Sequence, residues 1–343
     1  MNYLTNKRMR NGIATRRQLL LALGAGALGT ARLASAQQPA PQPSLPRIVF
    51  ISPIGAAQSA TRIGAFKDGL RINGLVEGRH YVVDVLYAEG QFERFPALVQ
   101  QALQRSPAVF VVVAVASVRA AQAATTTIPI VFVATPDPVG SGLVASLGRP
   151  GGNTTGVTGQ GDELALKHVE LLHEALPRAK RLAVLAAATN PPHARMFDGV
   201  SAVATGFGMN ARKFEAASPA VLDAALEAIA QHRPDALLIF THAPFFAERE
   251  RISAAMLKAR IPVFAPEAEF VDAGCLISYA TPYTEMFRYA ALHVKKILAG
   301  AKPADLPVEQ PTKFEMVLNL KTAEALGIKI PQSLLVRAER VIE

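Results

Sequence analysis

The chain of 343 residues has little cysteine and little charge, and each shortage excludes a class of protein. Its one cysteine, Cys275, allows neither an intramolecular disulfide nor a cysteine metal cage. Charged residues make up only 18% of the chain and apolar residues 50%, which excludes a disordered protein. A chain of this length has room for about two domains, each with its own apolar core.

Several enzyme motifs are also missing from the sequence. There is no G-x-S-x-G nucleophile motif and no G-x-x-x-x-G-K-[ST] phosphate loop. Only Gly55 stands where a dinucleotide-binding fingerprint would need three glycines. The histidines form no H-E-x-x-H pair, and His168 and His173 are spaced so that they do not share a helix face as metal ligands would. We therefore predict that the chain is not an enzyme and that it has no catalytic residue, no metal and no cofactor.

The net charge of +9 suggests a nucleic-acid partner only until its distribution is examined. The first 36 residues contain six basic residues and no acidic one, which leaves 30 basic against 27 acidic residues in the remainder. That remainder has no basic run with interleaved aromatic residues, which is the pattern typical of nucleic-acid binding. We predict no nucleic-acid partner.

The first 36 residues have the pattern of an export signal. The pair Arg16 and Arg17 precedes a moderately apolar stretch, 19–31, which is too short to span a bilayer. Small residues ending at Ala36 are typical of a cleavage site. The arginine pair resembles a twin-arginine signal, and an ordinary secretory signal with an incidental arginine pair is the alternative. Both predict cleavage after Ala36, contact with an export machinery and a periplasmic location.

Beyond this signal, a flexible leader rich in proline and glutamine, 37–46, precedes an alternation of strand and helix patterns. Buried strands alternate with amphipathic helices up to residue 157, and a similar series begins at 158. This alternation predicts an α/β protein with two doubly wound, Rossmann-like lobes joined by several crossings, an architecture that suits a hinged clamp on a small ligand. We assign 47–157 and about 281–318 to lobe 1, and 158–280 and about 319–343 to lobe 2.

The most informative stretch surrounds one predicted strand. The apolar run 128–133 ends at a pair of prolines, Pro136 and Pro138, which cannot extend a hydrogen-bonded ladder. Thr135 and Asp137 are therefore placed at the carboxyl end of the strand, the edge where open α/β sheets bind ligands. Asp137 followed by proline is also typical of a helix N-cap, and we keep both interpretations.

Three segments of the chain resemble a known family. They are 126–156, 234–251 and 301–327, and together with 167–176 and 279–298 they extend the likeness over most of 47–342. The family is that of the bacterial periplasmic substrate-binding proteins of ABC transporters, in the branch that includes aromatic amino-acid binders. The resemblance implies a type I periplasmic binding protein fold that holds its ligand between two lobes and performs no chemistry.

The resemblance also implies a ligand site at the strand ends and helix starts of both lobes. Ser117 could hold an anion together with the first amides of its helix, or act only as the N-cap. Asp162 could pair with a ligand ammonium, or act only as a cap. At 113–117 the chain departs from the usual glycine followed by a small hydroxyl residue or proline, so the identity of the ligand does not transfer from the family. The predicted site residues are Ser52, Ser117, Thr135, Asp137, Asp162, Thr241 and Glu267.

The sequence thus predicts a monomeric solute-binding protein of an ABC importer. It would capture a small organic solute, an amino acid or a small carboxylate, and deliver it to a membrane permease. The alternative is a periplasmic sensor subunit that uses the same clamp to dock on a signalling partner. An exported α/β oxidoreductase carrying a prefolded cofactor is a less favoured third hypothesis.

Overall fold

The computed structural model describes residues 44–343. The predicted signal, 1–36, and most of the predicted leader, 37–46, lie outside this range. The described chain is built around two separate sheets of five and seven strands, covered by helices on both faces. The predicted α/β class with two lobes is therefore confirmed. None of the helices within 44–343 is both long enough and apolar enough to cross a membrane.

Lobe 1 contains a five-stranded sheet in which every pairing is parallel. Its strands are β1 (Arg47–Ser52), β2 (Val82–Tyr87), β3 (Val109–Val113), β4 (Ile130–Val133) and β5 (Thr154–Val157). They lie in the order β2-β1-β3-β4-β5. Alternate side chains of β1 pack on opposite faces, with Ile48 in one core cluster and Val49 in the other. Both faces are buried, which explains why these strands read as continuous apolar runs.

Helices cover both faces of this sheet. They are α1 (Ala56–Ile72), α2 (Phe95–Leu103) and α3 (Val115–Ala124), joined later in the chain by α10 (Tyr283–Leu298). Helix α10 packs closely against α1 because Gly69 lacks a side chain at the crossing. A Cβ atom on Gly69 would lie 2.8 Å from the Cβ of Ala291 and 2.9 Å from the Cα of Arg288. A late segment of the chain thereby completes the core of lobe 1.

Lobe 2 contains a seven-stranded sheet with one antiparallel pairing. Its strands are β6 (Arg181–Ala186), β7 (Asn210–Glu215), β8 (Ala236–Ile239), β9 (Val263–Ala265), β10 (Ile277–Ala280), β11 (Glu315–Asn319) and β12 (Arg340–Ile342). They lie in the order β12-β11-β10-β9-β8-β6-β7, and β11 runs antiparallel to β10. The helices of this lobe are α4 (Gly161–Ala175), α5 (Pro192–Gly206), α6 (Pro219–His232), α7 (Ala243–Ala247), α8 (Arg249–Lys258), α9 (Ala268–Asp272), α11 (Leu320–Leu326) and α12 (Gln332–Arg337).

The described part of the chain passes between the lobes three times. The first crossing, 158–160, joins β5 to α4, and the second, 281–282, joins β10 to α10. The third, 310–314, leaves lobe 1 after Glu309, which bridges to Val157, and enters β11.

The third crossing corrects one predicted boundary. We assigned residues up to about 318 to lobe 1, but Leu318 pairs with Ile277 in the sheet of lobe 2. The physical reason is that β10 would otherwise leave a row of buried backbone donors and acceptors unpaired on that side. The short apolar segment of β11 satisfies them.

Candidate functional site

The lobes face each other across a cleft at the carboxyl ends of their strands. The loops that follow β3 and β4 approach from lobe 1, and those that follow β8, β9 and β10 approach from lobe 2. The cleft has two adjoining compartments that share Ala134, Pro136, Thr241 and Tyr283 in their walls. This edge is where open α/β sheets bind ligands.

One compartment is lined mainly by apolar side chains, and we call it the apolar compartment. Helix α4 presents Gly161, Leu164, Ala165 and His168 to it, because residues three, four and seven positions apart share a helix face. Its lining also includes Leu238, Phe240, Met196 and Met286. Methionines on both sides give this wall an adaptable surface for an apolar group.

Two histidines in this wall are neutral. The Nδ1 atom of His168 lies 2.8 Å from the Leu164 carbonyl oxygen, and burial lowers the pKa of the His168 ring to about 4. His193 accepts a hydrogen bond from the Ala187 amide at Nδ1, so its Nε2–H donates to the Thr241 carbonyl oxygen at 3.1 Å. Burial also lowers the pKa of His193 to about 4. The apolar compartment therefore holds no charge at neutral pH.

The other compartment, which we call the polar compartment, is a cavity of about 150 Å³ beside the start of α3. Ala114, Val115 and Ala116 line it. Ala114 has a φ of +84°, and this conformation turns the chain from β3 into the helix. The first amides of a helix have no partner within the helix, and the helix dipole is positive at this end. This wall therefore favours a negatively charged group.

A buried ion pair between the lobes forms another wall of the polar compartment. Arg62 of α1 donates to the carboxylate of Glu267, which precedes α9 in lobe 2. The guanidinium carbon of Arg62 lies 3.7 Å from the ring centre of Phe246 and 4.3 Å from that of Tyr283. Burial raises the pKa of Glu267 to about 7, although the charge of Arg62 opposes the shift. The two aromatic faces and the carboxylate hold the guanidinium in place.

Three buried polar atoms around the polar compartment have no hydrogen-bond partner within the described chain. They are Nε of Arg62, Nε2 of His242 and Oγ1 of Thr135. Arg62 and His242 line the compartment directly, and each is 5% exposed. Burial, together with the neighbouring His193, lowers the pKa of His242 to about 3, so its ring is neutral. Unpaired buried donors and acceptors are uncommon in folded proteins, and the side chains of Arg62 and His242 offer such atoms at the wall of this compartment.

The structure brings two of the predicted site residues into the cleft wall. Thr241 lines both compartments and Glu267 lines the polar one. Thr135 is fully buried between Ala134 and Pro136, both of which line the cleft. All three follow a strand at its carboxyl end, as the sequence predicted.

Two other predicted residues do not reach the cleft. The hydroxyl of Ser52 lies 2.7 Å from that of Ser59 and donates to the Ile54 carbonyl oxygen. The hydroxyl of Ser117 donates to the Val113 carbonyl oxygen at 2.7 Å. Helix α3 begins two residues before Ser117, after Ala114, so Ser117 is not the N-cap either. The predicted contribution of Ser52 and Ser117 is corrected, since local carbonyl groups take up both hydroxyls.

Asp137 and Asp162 lie outside the lining of both compartments and share one partner. The Nη2 atom of Arg195 on α5 is 2.6 Å from Asp137 in lobe 1 and 2.7 Å from Asp162 in lobe 2. Neither aspartate is a helix cap. Asp137 accepts from the Gly140 amide within a turn, and Asp162 lies inside the first turn of α4. The cap interpretations are therefore wrong, and the two aspartates with Arg195 form an ionic contact between the lobes.

Sequence reasoning missed Arg62. The buried face of α1 includes Ser59, Arg62, Ile63, Phe66 and Leu70, so an arginine stands in the apolar stripe of this helix. A charged side chain on that stripe must be paired or must serve a site, because a buried unpaired charge is costly. The helical spacing was the signal that could have identified it.

The described residues 44–343 contain no cluster of three or more histidine, cysteine or acidic side chains able to hold a metal ion. Cys275 is buried in the core of lobe 2, with its sulfur 3.1 Å from the hydroxyl of Ser253. Burial raises the pKa of this thiol to about 12, so it carries no thiolate at neutral pH.

Comparisons with known proteins agree with this geometry. The model of a family described as ABC transporter substrate binding protein matches residues 48–342. A tyrosine-binding protein of Clostridioides difficile (strain R20291) is 24% identical over 265 residues, covering 77% of this chain and 76% of that protein. A conserved domain protein from Vibrio cholerae is 28% identical in sequence, with a TM-score of 0.82 over 87% of this chain and 100% of that chain. An ABC domain in complex with L-Trp from Streptococcus pneumoniae is 24% identical, with a TM-score of 0.81 over the same shares.

Proposed function

Because the chain belongs to the ABC transporter substrate-binding protein family, we propose that it captures a small organic solute between its lobes and delivers it to the permease of an ABC importer. The observation that carries this proposal is the cleft itself. Both lobes contribute to each compartment, and the compartments share part of their walls. A solute held there contacts both lobes at once.

The walls favour a solute with an apolar body and a polar end. The apolar compartment offers Leu164, Phe240 and two methionines, while the polar compartment offers the start of α3 and the side chains of Arg62 and His242. An amino acid or a small carboxylate has this shape. The tyrosine-binding relative supports the same range of solutes.

Solute binding is proposed to favour the closed arrangement of the lobes. A ligand that contacts both lobes interacts less with an open form, so it shifts the equilibrium by its difference in affinity. Small-angle scattering should then report a smaller radius of gyration once solute is added. An unchanged radius at saturation would contradict closure.

We also propose that the protein is exported to the periplasm, by the twin-arginine or the general secretory route, and that it is a monomer. The basic, moderately apolar segment 1–36 supports export. The intact mass of the exported protein should correspond to a chain that starts at Gln37. Pull-down of a permease supports delivery, whereas pull-down of a kinase or regulator would favour the sensor alternative.

Thermal unfolding against a panel of amino acids and small carboxylates tests the binding function. The protein is first unfolded and refolded to remove any solute that was purified with it. A ligand at 100 times its dissociation constant adds about 2.7 kcal/mol to the free energy of unfolding and raises the midpoint visibly. A folded protein that no member of a broad solute panel stabilises would contradict solute capture.

A further inference from the structure

We propose that the solute is a carboxylate with an apolar body and without an ammonium group next to the carboxylate. This inference rests on the proposed function and narrows its range of solutes. It follows from the hydrogen-bond donors of the polar compartment, from its charges and from the positions of the acidic side chains near the cleft.

The polar compartment offers several donors to a carboxylate. Nε–H of Arg62 is buried and has no partner within 44–343, so it needs an acceptor. Val115 and Ala116 line the same compartment, and their amides, in the first turn of α3, have no partner within the helix. The neutral ring of His242 adds a donor in the tautomer that carries its proton on Nε2. A carboxylate accepts several hydrogen bonds and suits this set.

The charges of the polar compartment also favour a single negative charge on the solute. Among its described lining residues, three are charged: Arg62, Arg119 and Glu267. When Glu267 is ionised, its charge offsets that of Arg62, so the pair contributes no net charge. Arg119, which is an exposed residue, adds one positive charge to the lining and donates a hydrogen bond to the Ser141 carbonyl oxygen. A monoanionic solute balances this charge.

A neighbouring ammonium group would find no ionised partner in either compartment. Glu267 is the one carboxylate among the described lining residues, and Arg62 holds it. Asp137 and Asp162 line neither compartment, and each gives one carboxylate oxygen to Arg195. The other oxygen of Asp162, Oδ1, is buried and has no hydrogen-bond partner within 44–343. The cleft face of α4 is formed by Gly161, Leu164, Ala165 and His168, which leaves Asp162 to one side of it. Burying an ammonium group without an ionised partner costs free energy, so it weakens binding.

Sets of matched compounds test this inference by isothermal titration on the purified protein. Each set contains three compounds with the same apolar body: one with a carboxylate only, one with a carboxylate and an ammonium group, and one with an ammonium group only. The first set is 3-phenylpropionate, phenylalanine and 2-phenylethylamine. The other sets are their 4-hydroxyphenyl and straight-chain alkyl counterparts. We expect at least one carboxylate to bind tenfold or more tighter than its amino acid, and no amine to bind. An amino acid that binds as tightly as its carboxylate overturns the inference and leaves the proposed function standing. If no compound of any set binds, this inference is overturned, and the broad thermal panel then decides the proposed function separately.

Two variants, each compared with a matched reference protein, test which side chains determine the preference for a carboxylate. Asp is favourable in the first turn of a helix, so Ala116→Asp should fold while it places a negative charge in the polar compartment. We expect its affinity for the carboxylate to be at least tenfold lower than that of Ala116→Asn, and equal affinities would overturn the inference. Asp162→Asn should leave the ratio of carboxylate to amino-acid affinity as in the unmodified protein. A selective loss of the amino acid in this variant would assign the ammonium site to Asp162 and overturn the proposal.

Discussion

Within residues 44–343, two ionic contacts join the lobes, and they differ in burial. The side chains of Arg62 and Glu267 are 7% and 2% exposed. Arg195 is 52% exposed, and its partners Asp137 and Asp162 are 25% and 35% exposed. Both contacts link lobe 1 to lobe 2, yet water screens only the second effectively. The comparison indicates that burial, rather than the number of charges, determines how much each contact affects the free energy of unfolding. Burial therefore also determines how much that free energy changes when one partner is removed or when the pH is varied.

The largest expected effect comes from breaking the buried pair on one side. Arg62→Ala leaves Glu267 buried without its partner, so the free energy of unfolding should fall by about 3–5 kcal/mol at pH 8. Urea denaturation measures this loss. The double variant Arg62→Met, Glu267→Leu removes both charges and should recover most of it, because replacing both members of a buried pair by apolar residues is often nearly neutral. A loss below about 1 kcal/mol in Arg62→Ala would show that this pair contributes no more to the free energy of unfolding than an exposed ion pair does.

The second effect is a pH dependence that belongs to the buried pair alone. The pKa of Glu267 in the folded protein is about 7, above its ordinary value of 4.5, so the folded state binds the proton more tightly than the unfolded state. The contribution of Glu267 is therefore fully present below pH 4.5 and is lost as the pH rises through 7. Relative to Glu267→Gln, the unmodified protein should lose about 2–3 kcal/mol between pH 4.5 and 8.

The titration of buried histidines does not affect this comparison of the unmodified protein with Glu267→Gln. The pKa values of His168 and His193 are lowered to about 4, so their contribution to stability grows as the pH rises from about 4 to 6.5, opposite to that of Glu267. It is present in both proteins and cancels in the difference between them. A difference in unfolding free energy that stays constant from pH 5 to 8 would show that Glu267 is ionised throughout.

A smaller effect is expected from the exposed contact. Arg195→Ala removes the shared partner of two aspartates on the surface, so the free energy of unfolding should fall by no more than about 1 kcal/mol. The loss should shrink in 1 M NaCl, where the screening length is about 3 Å. Urea denaturation at low and high salt checks both statements, with Arg62→Ala as the comparison that salt should change little. A large loss that salt does not reduce would mean that Arg195 acts as a buried charge.

The smallest effect is expected where the lobes meet without charge. A Cβ on Gly161 would lie 3.3 Å from Cβ of Pro136, across the first crossing. Gly161→Ala should change the free energy of unfolding by less than about 0.5 kcal/mol, since reduced freedom of the unfolded chain offsets the tight contact. The change should not vary with salt or pH. A loss of unfolding free energy several times this size would show that Pro136 and the backbone at Gly161 cannot shift to accommodate the added methyl group.

The sequence was informative about the fold wherever strands are buried on both faces. The apolar run 128–133 predicted strand β4, because side chains on both faces of this strand are buried in a core. Strand β7, with the sequence NARKFE, was missed because it is a half-exposed edge strand and carries no apolar run. Strand β5 was missed because it begins within a cluster of turn residues, and its pairing with β4 fixes it. Tertiary pairing supplied what the local pattern lacked.

For the site, the family resemblance pointed to strand ends, and Thr241 and Glu267 do lie in the cleft wall, but it did not give the direction of each side chain. Ser52 and Ser117 were predicted on the same basis, yet nearby carbonyl groups capture their hydroxyls. Arg62 escaped notice because its partner lies 205 residues away, and no local pattern brings α1 to the start of α9. Positions along a strand are encoded locally, whereas partners across the cleft depend on how the lobes meet.

The passage of α10 back to lobe 1 affects how the chain is made. Phe287, Ala290 and Val294 of this helix belong to the core of lobe 1, although most of that lobe is encoded before residue 158. Lobe 2 likewise waits for β11 and β12 to complete its sheet. Neither lobe can therefore finish folding on the ribosome until nearly the whole chain has emerged, and a nascent chain that stops after β10 keeps apolar surface open on both. We therefore expect the two lobes to complete their folding together rather than one after the other.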